Sequence, residues 1–168
     1  RLEFQCCDTD FTVQMTGYRA EVTAERARQT ALSLEAELNA FDSDSAVARL
    51  NRTGRVENEH VARLVRRGLE YGERTDGVFD IRQGAVEHEL KAYLRGDRET
   101  VSATFETGAV RVDGDRVVTE TELDLNGLAK GYIVDRAAAA TAGPGRRGFV
   151  RGRGDMSPKT GPNAVESP

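Results

Sequence analysis

One short stretch, Asp124-Leu125-Asn126-Gly127-Leu128-Ala129-Lys130-Gly131, combines a carboxylate, a flexible corner and an ammonium group. A strand over Glu122 to Leu125 is predicted to end there. An alanine-rich helix, roughly Leu128 to Thr141, is predicted to begin. The first amides of a helix have no internal partners and carry partial positive charge. They make a ready seat for an anion such as a pyrophosphate. Lys130 adds a mobile cation at the same end, and Gly127 and Gly131 permit close approach of a ligand or a second backbone. Asp124 stands just before the turn, where a carboxylate accepts from a base or a ribose. The pattern GxxxxGK[ST] is absent, so this is not a Walker loop. The plain alternative is a capped, tightly packed helix with Lys130 in solvent.

The other reactive side chains are few. The two cysteines are adjacent, Cys6 and Cys7. Neighbours on a strand point to opposite faces, so a disulfide between them would be strained. No CxxC or Cys/His cluster exists, which argues against a zinc site. The expectation is one buried and one half-exposed thiol. His60 falls near a helix start and His88 between Glu87 and Glu89; solvation or local pairing is the expected state of both. Arg63, Arg66 and Arg67 read as a wet helix face. Arg153-Gly154-Asp155 spells an adhesion tripeptide, which in this context is coincidence.

These residues need elements to position them. The chain has 168 residues, enough for one domain with a core, and its 38% hydrophobic and 31% charged content is that of a globular protein. No apolar run reaches the ~20 residues of a membrane helix. The net charge of -4 disfavours nucleic acid as a partner. Short strands are predicted at Phe4 to Cys7 and Phe11 to Met15, around a turn at Asp8-Thr9-Asp10. Thr23 is predicted to cap a helix whose apolar face runs Ala27, Ala31, Leu34, Leu38, Phe41. A second helix carries Val47 and Leu50. A third is capped by Asn58, with Val61, Leu64, Val65 and Leu69 inward, and ends at Thr75-Asp76-Gly77. Ala85 to Leu94 reads as helix and Val101 to Phe105 as strand. Asp113-Gly114-Asp115 joins two strands in a hairpin. Phe149-Val150 starts a last strand, and residues 156–168 read as an irregular tail. The mixture lacks regular βαβ alternation. An α+β fold with a mixed or antiparallel sheet and packed helices is expected, as one domain over 1–168.

Four stretches in order carry a resemblance. Asp124 to Tyr132, followed by Val134-Asp135, is similar to D-L-G-G-I-A-K-G-Y-x-V-D, the signature of the ApbE flavin transferases, with Asn126 in place of a glycine. Ala40-Phe41-Asp42-Ser43-Asp44-Ser45 with Arg49-Leu50-Asn51 resembles that family's S-T-Y-x-x-D-S…R-x-N segment. Thr75-Asp76-Gly77-Val78-Phe79-Asp80 resembles T-D-G-x-F-D. Gly152-Arg153-Gly154-Asp155 stands where the family has a G-G-D turn, with Arg153 for a glycine.

The resemblance implies a fold and an activity. Such enzymes bind FAD with Mg²⁺, split its pyrophosphate and attach FMN to a threonine of a target flavoprotein, releasing AMP. Some members hydrolyse FAD instead. Carried over by motif, Asp124 and Lys130 contact FAD, Phe41 packs on the flavin, and Val78, Phe79 and Asp80 line the same pocket. Met15, before Thr16-Gly17, corresponds to the methionine of an N-terminal M-G-T segment. Gly127 offers its carbonyl to magnesium. No catalytic residue is assigned. Relatives continue beyond the G-G-D turn with a histidine segment and a magnesium-binding aspartate, so an incomplete ApbE-like fold is expected here. Asn163 to Pro168 reads as the start of a further strand, and Pro158-Lys159-Thr160-Gly161 is not equated with the family's later P-x-T-G. The other readings are a flavin- or nucleotide-binding module without catalysis, an FAD pyrophosphatase-like remnant, and an interaction domain with no ligand. A homo-oligomer is compatible with the sequence. The cytoplasm is favoured as the compartment, with export or membrane anchoring open as in many relatives.

Overall fold

The computed structural model describes residues 1–105 and 108–159. Asn163 to Pro168, and the Thr160-Gly161 part of Pro158 to Gly161, lie outside the described residues. The chain divides into two compact units, one made of residues 1–36 and 129–168, the other of residues 37–128.

In the first unit, β1 (Leu2–Cys6) and β2 (Thr9–Thr16) form a hairpin. The turn is Cys7-Asp8, with φ of 54° and 53°, one step earlier than the Asp-rich stretch suggests. Helix α1 (Ala20–Leu38) follows. It begins ahead of Thr23, which is therefore no cap; its hydroxyl is buried without a hydrogen-bond partner among the described residues. Ala27, Ala31 and Leu34 are buried as the periodicity requires. The later part of α5 (Asn126–Ala139) and strands β6 (Arg147–Gly152) and β7 (Asp155–Lys159) complete this unit. The sheet is antiparallel throughout, in the order β1-β2-β6-β7. Phe11, Val13 and Met15 alternate inward on β2 and are buried with Val150. The expected irregular tail is thus corrected over residues 156–159, which pair with β6. Among the described residues β7 lies at the edge of the sheet, a position that tolerates a proline such as Pro158.

The second unit opens with α2 (Ala46–Thr53), capped by Ser45, whose Oγ accepts from the Ala48 amide at 2.9 Å. Phe41 lies past the end of α1 rather than on it, and is exposed. After β3 (Arg55–Glu57), helix α3 (Glu59–Arg74) starts at Asn58, whose Oδ1 accepts from both His60 and Val61 amides. A 3-10 turn at Ile81–Gln83 leads into α4 (Gly84–Arg95). Strands β4 (Val110–Asp113) and β5 (Arg116–Thr119) form the hairpin expected at Gly114, and β3 pairs with β5. Val47, Leu50, Val61, Leu64, Val65, Ile81, Val117 and Leu123 form the core.

Two predicted strands are not strands. Residues 101–105 are irregular; the Glu89 carboxylate accepts from the amides of Ser102 and Ala103 at 2.7 and 2.8 Å and replaces a ladder. Residues 122–125 are extended but sit in no sheet. They are fixed instead by Asn51, whose Nδ2 donates to the Leu123 carbonyl and whose Oδ1 accepts from the Leu123 amide, at 3.0 and 2.9 Å. The Asp124 amide donates to the Ile81 carbonyl at 2.8 Å, and the Gly84 amide to the Glu122 carbonyl at 3.1 Å.

Gly84 is where α4 crosses this segment. A Cβ there would lie 2.7 Å from backbone atoms of Glu122 and Leu123. Backbone cannot swing aside, so Gly84→Ala is expected to destabilise the protein by about 1–3 kcal/mol. A urea unfolding midpoint checks it, and an unchanged midpoint contradicts the packing described.

Candidate functional site

Asp124 ends the pinned segment and starts α5. Its Oδ1 accepts from the Asn126 amide at 2.7 Å, so the carboxylate occupies one of the unpaired donors of the helix start. Its Oδ2 accepts from Lys91 Nζ at 3.1 Å. Lys91 also reaches Glu87 one turn earlier, at 3.5 Å. Beside this pair, His88 Nδ1 and Glu122 Oε2 are 3.0 Å apart. The spacing explains the double pairing. His88 and Lys91 are three apart on a helix and share a face; Glu122 and Asp124 are two apart on an extended segment and share a side. The other ring nitrogen of His88 is buried with no hydrogen-bond partner among the described residues.

Phe41 joins the same run of side chains. Its ring meets His88 edge-on at 5.9 Å, and the Arg95 guanidinium stands 5.7 Å from its centroid. Arg95 is one turn beyond Lys91, so α4 presents His88, Lys91 and Arg95 along one face. Sequence reasoning named His88 only as a locally paired histidine and did not single out Lys91 or Arg95. The available signal was their spacing of three and four.

Phe79 lies against the other side of the α5 start. A Cβ on Gly127 would be 3.4 Å from the Phe79 ring, so the ring packs directly beside this position at ordinary contact distance. Phe79 also stacks edge-on with Tyr71 at 6.1 Å. Asp80 caps the 3-10 turn, accepting from the Arg82 amide, and receives two-pronged contacts from the Arg82 guanidinium. That guanidinium holds the Asp80 carboxyl below the usual carboxylate range. Val78 is 89% exposed, next to Phe79 on the loop.

The first unit holds the remaining predicted residues. Lys130, in the second turn of α5, reaches the β6–β7 turn: its Nζ lies 3.0 Å from Asp155 Oδ2 and 3.1 Å from the Arg153 carbonyl oxygen. The Gly152 to Asp155 stretch is therefore a hairpin turn that receives the lysine. Met15 is buried in the sheet, paired with Gly148, and borders a cleft of about 410 Å³ with Leu2 and Ala24. Gly148 is five residues before Arg153, so Met15 and the Lys130 contact sit at opposite ends of β6, about 15 Å apart along the strand.

Gly127 is the second residue of α5, and its carbonyl lies along the helix ladder. Magnesium requires several oxygen ligands. Among the described residues no group of three carboxylate, histidine or cysteine donors collects at Gly127 or Asp124.

Glu89, on the opposite side of α4, shows how strongly this helix organises its surroundings. The Ala103 and Ser102 amides, with Arg98, hold its carboxyl down from 4.5 to about 2. A depressed carboxyl favours the fold above its unfolded value, and that support is lost as pH falls through the folded one. The amides of Ser102 and Ala103 are expected to keep their hydrogen-bonded NMR shifts down to about pH 3, and to lose them in Glu89→Ala at any pH. A titration midpoint near 4.5 would contradict this.

A search of curated proteins finds no significant match. Among solved structures, the ApbE protein from Thermotoga maritima superposes with a TM-score of 0.76 at 22% identity, covering 94% of this chain and 57% of the other. The apo flavinyl transferase ApbE from Pseudomonas stutzeri gives 0.68 at 22% identity, covering 90% and 52%. A variant of the flavin transferase ApbE from Vibrio cholerae gives 0.65 at 13% identity, covering 89% and 61%. The chain thus spans a little over half the length of these relatives. At such identities the superpositions establish the fold, an α+β arrangement of antiparallel sheets and helices. The sequence profile of the ApbE family matches residues 7–161, nearly the whole chain, and the protein belongs to that family.

Proposed function

We propose that this chain carries the flavin-binding part of an FAD:protein FMN transferase. The substrate is FAD, and the partner is a flavoprotein that presents a threonine. The threonine oxygen attacks the phosphorus of the FMN half. The bond from that phosphorus to the bridging oxygen breaks, AMP leaves with the electron pair, and the hydroxyl proton passes to solvent. Phosphoryl transfer of this kind depends on positioning and charge neutralisation more than on covalent help.

One observation carries the reading: the family match over residues 7–161 includes the Asp124 to Gly131 corner, where Asp124 is held at the start of α5. Asp124 and Lys130 are assigned to FAD contacts, Lys130 to its phosphates. Phe41 is assigned to the flavin face, an aromatic suited to a flat ring system. Val78, Phe79 and Asp80 are assigned to the wall of the pocket. Met15, matched by motif to the M-G-T methionine, is assigned with them to the binding of FAD. Mg²⁺ is expected as the reaction's metal, with Gly127 giving at most one carbonyl.

The test uses the purified chain, alone and with the C-terminal portion of a relative supplied. FAD is expected to be quenched on binding. With Mg²⁺ and a threonine-bearing target, a fluorescent band should survive denaturation and AMP should appear. Quenching with no covalent product under both conditions would leave a binding module; no quenching at all would defeat the flavin reading.

A further inference from the structure

The first unit brings together three potential metal ligands that sequence spacing did not reveal. Cys6 and Cys7 Sγ are 3.7 Å apart. Both sulfurs and a carboxylate oxygen of Glu35 lie within 4.8 Å of one another. Glu35 is 28 residues away from Cys7, on α1, which is why no short motif announces it.

The hairpin turn creates the arrangement. Neighbouring side chains on a regular strand diverge, but Cys7 has left β1 and takes a left-handed φ of 54°. Cysteine is a poor residue for that region, where glycine, asparagine and aspartate are favoured. The turn folds the second sulfur back beside the first. A disulfide requires sulfurs about 2.05 Å apart. Two thiolates bound at ~2.3 Å to one tetrahedral ion lie about 3.8 Å apart, which the observed separation matches. The Glu35 carboxylate accepts from the Cys7 backbone amide, so an outer hydrogen bond already orients it. Cys6 is buried, whereas Cys7 and Glu35 are half-buried, leaving a side open to solvent.

We propose that Cys6, Cys7 and Glu35 form a site for a thiophilic divalent cation, zinc first, with two thiolates, one carboxylate and a fourth position left to water. Binding releases two thiol protons, so affinity rises with pH. Sulfur donors select zinc or cadmium over magnesium, so this site is separate in chemistry from the magnesium of flavin transfer and does not depend on that reading.

The chain contains only these two cysteines, which makes the test specific. The reduced, metal-free chain is titrated with Cd²⁺, followed by its thiolate charge-transfer absorption, and with Zn²⁺ against a chromophoric chelator. One equivalent is expected, with affinity falling at least about a hundredfold in Cys7→Ser and tenfold in Glu35→Gln. Cys7 and Glu35 are the informative positions because Cys6 is in the core; melting curves of the metal-free variants confirm that they fold. Half an equivalent per chain, no thiolate absorption, or unchanged affinity in folded Cys7→Ser would overturn the proposal.

Discussion

Replacing Lys130 with alanine is expected to lower FAD affinity by at least about tenfold, the loss of one charge-assisted contact to a phosphate. Stability should barely move. The Lys130–Asp155 pair is more than a third exposed on both sides, and such pairs contribute little. The two effects separate the readings of this residue. If Lys130 only pins the β6–β7 turn, the variant melts slightly earlier and binds FAD as before. If it neutralises phosphate, affinity falls, and the wild-type affinity depends more steeply on salt than the variant's. Lys130→Arg keeps the charge but replaces a compact ammonium by a planar fork. It should recover part of the lost affinity. Fluorescence titration at two salt concentrations measures all three proteins, and unaltered affinity in Lys130→Ala would remove Lys130 from the flavin site.

Much of this corner was legible before any coordinates. An acidic residue, a small flexible pair and an apolar run announce a helix start, and α5 begins within two residues of the expected place. Asn58 as a cap, the Gly114 hairpin and the buried faces of α2 and α3 were legible for the same reason: each is decided by neighbours in sequence. What was not legible depends on distant partners. Alternation over Glu122 to Leu125 signals extended chain but does not say what accepts its hydrogen bonds, and the partner is a side chain 72 residues earlier. Val101 to Phe105 has strand composition, yet the Glu89 carboxylate takes its amides first. Aspartates are the better turn residues, so the sequence points to Asp8-Thr9-Asp10, one step beyond the Cys7-Asp8 turn observed. The cationic face of α4 was missed because it acquires meaning only opposite Glu122 and Asp124.

Asn51→Ala is expected to be the most damaging single change to the second unit. Leu123 is fully buried, and both its backbone groups are satisfied by the one amide side chain. Truncation leaves a donor and an acceptor unpaired away from water, at about 1–3 kcal/mol each. A loss of about 2–5 kcal/mol follows, which is a large share of the stability of a small protein. The functional consequence runs through the next residue. Asp124 is aimed at the α5 start and at Lys91 because the segment before it cannot slide. Once Leu123 is released, Asp124 keeps its bonds to Ile81, Asn126 and Lys91 but loses the anchor on the residue before it, and FAD affinity should fall even at temperatures where the variant remains folded. Asn51→Asp provides the discriminating control. It keeps an acceptor for the Leu123 amide but sets a carboxylate against the Leu123 carbonyl, so it should restore neither stability nor binding. Asn51→Gln keeps both groups on a longer arm and should recover a fraction of each. Urea unfolding with parallel FAD titration reads both quantities. A folded Asn51→Ala protein that binds FAD with native affinity would show that Asp124 does not need this anchor, and with it the link from α2 to the proposed flavin site would fail.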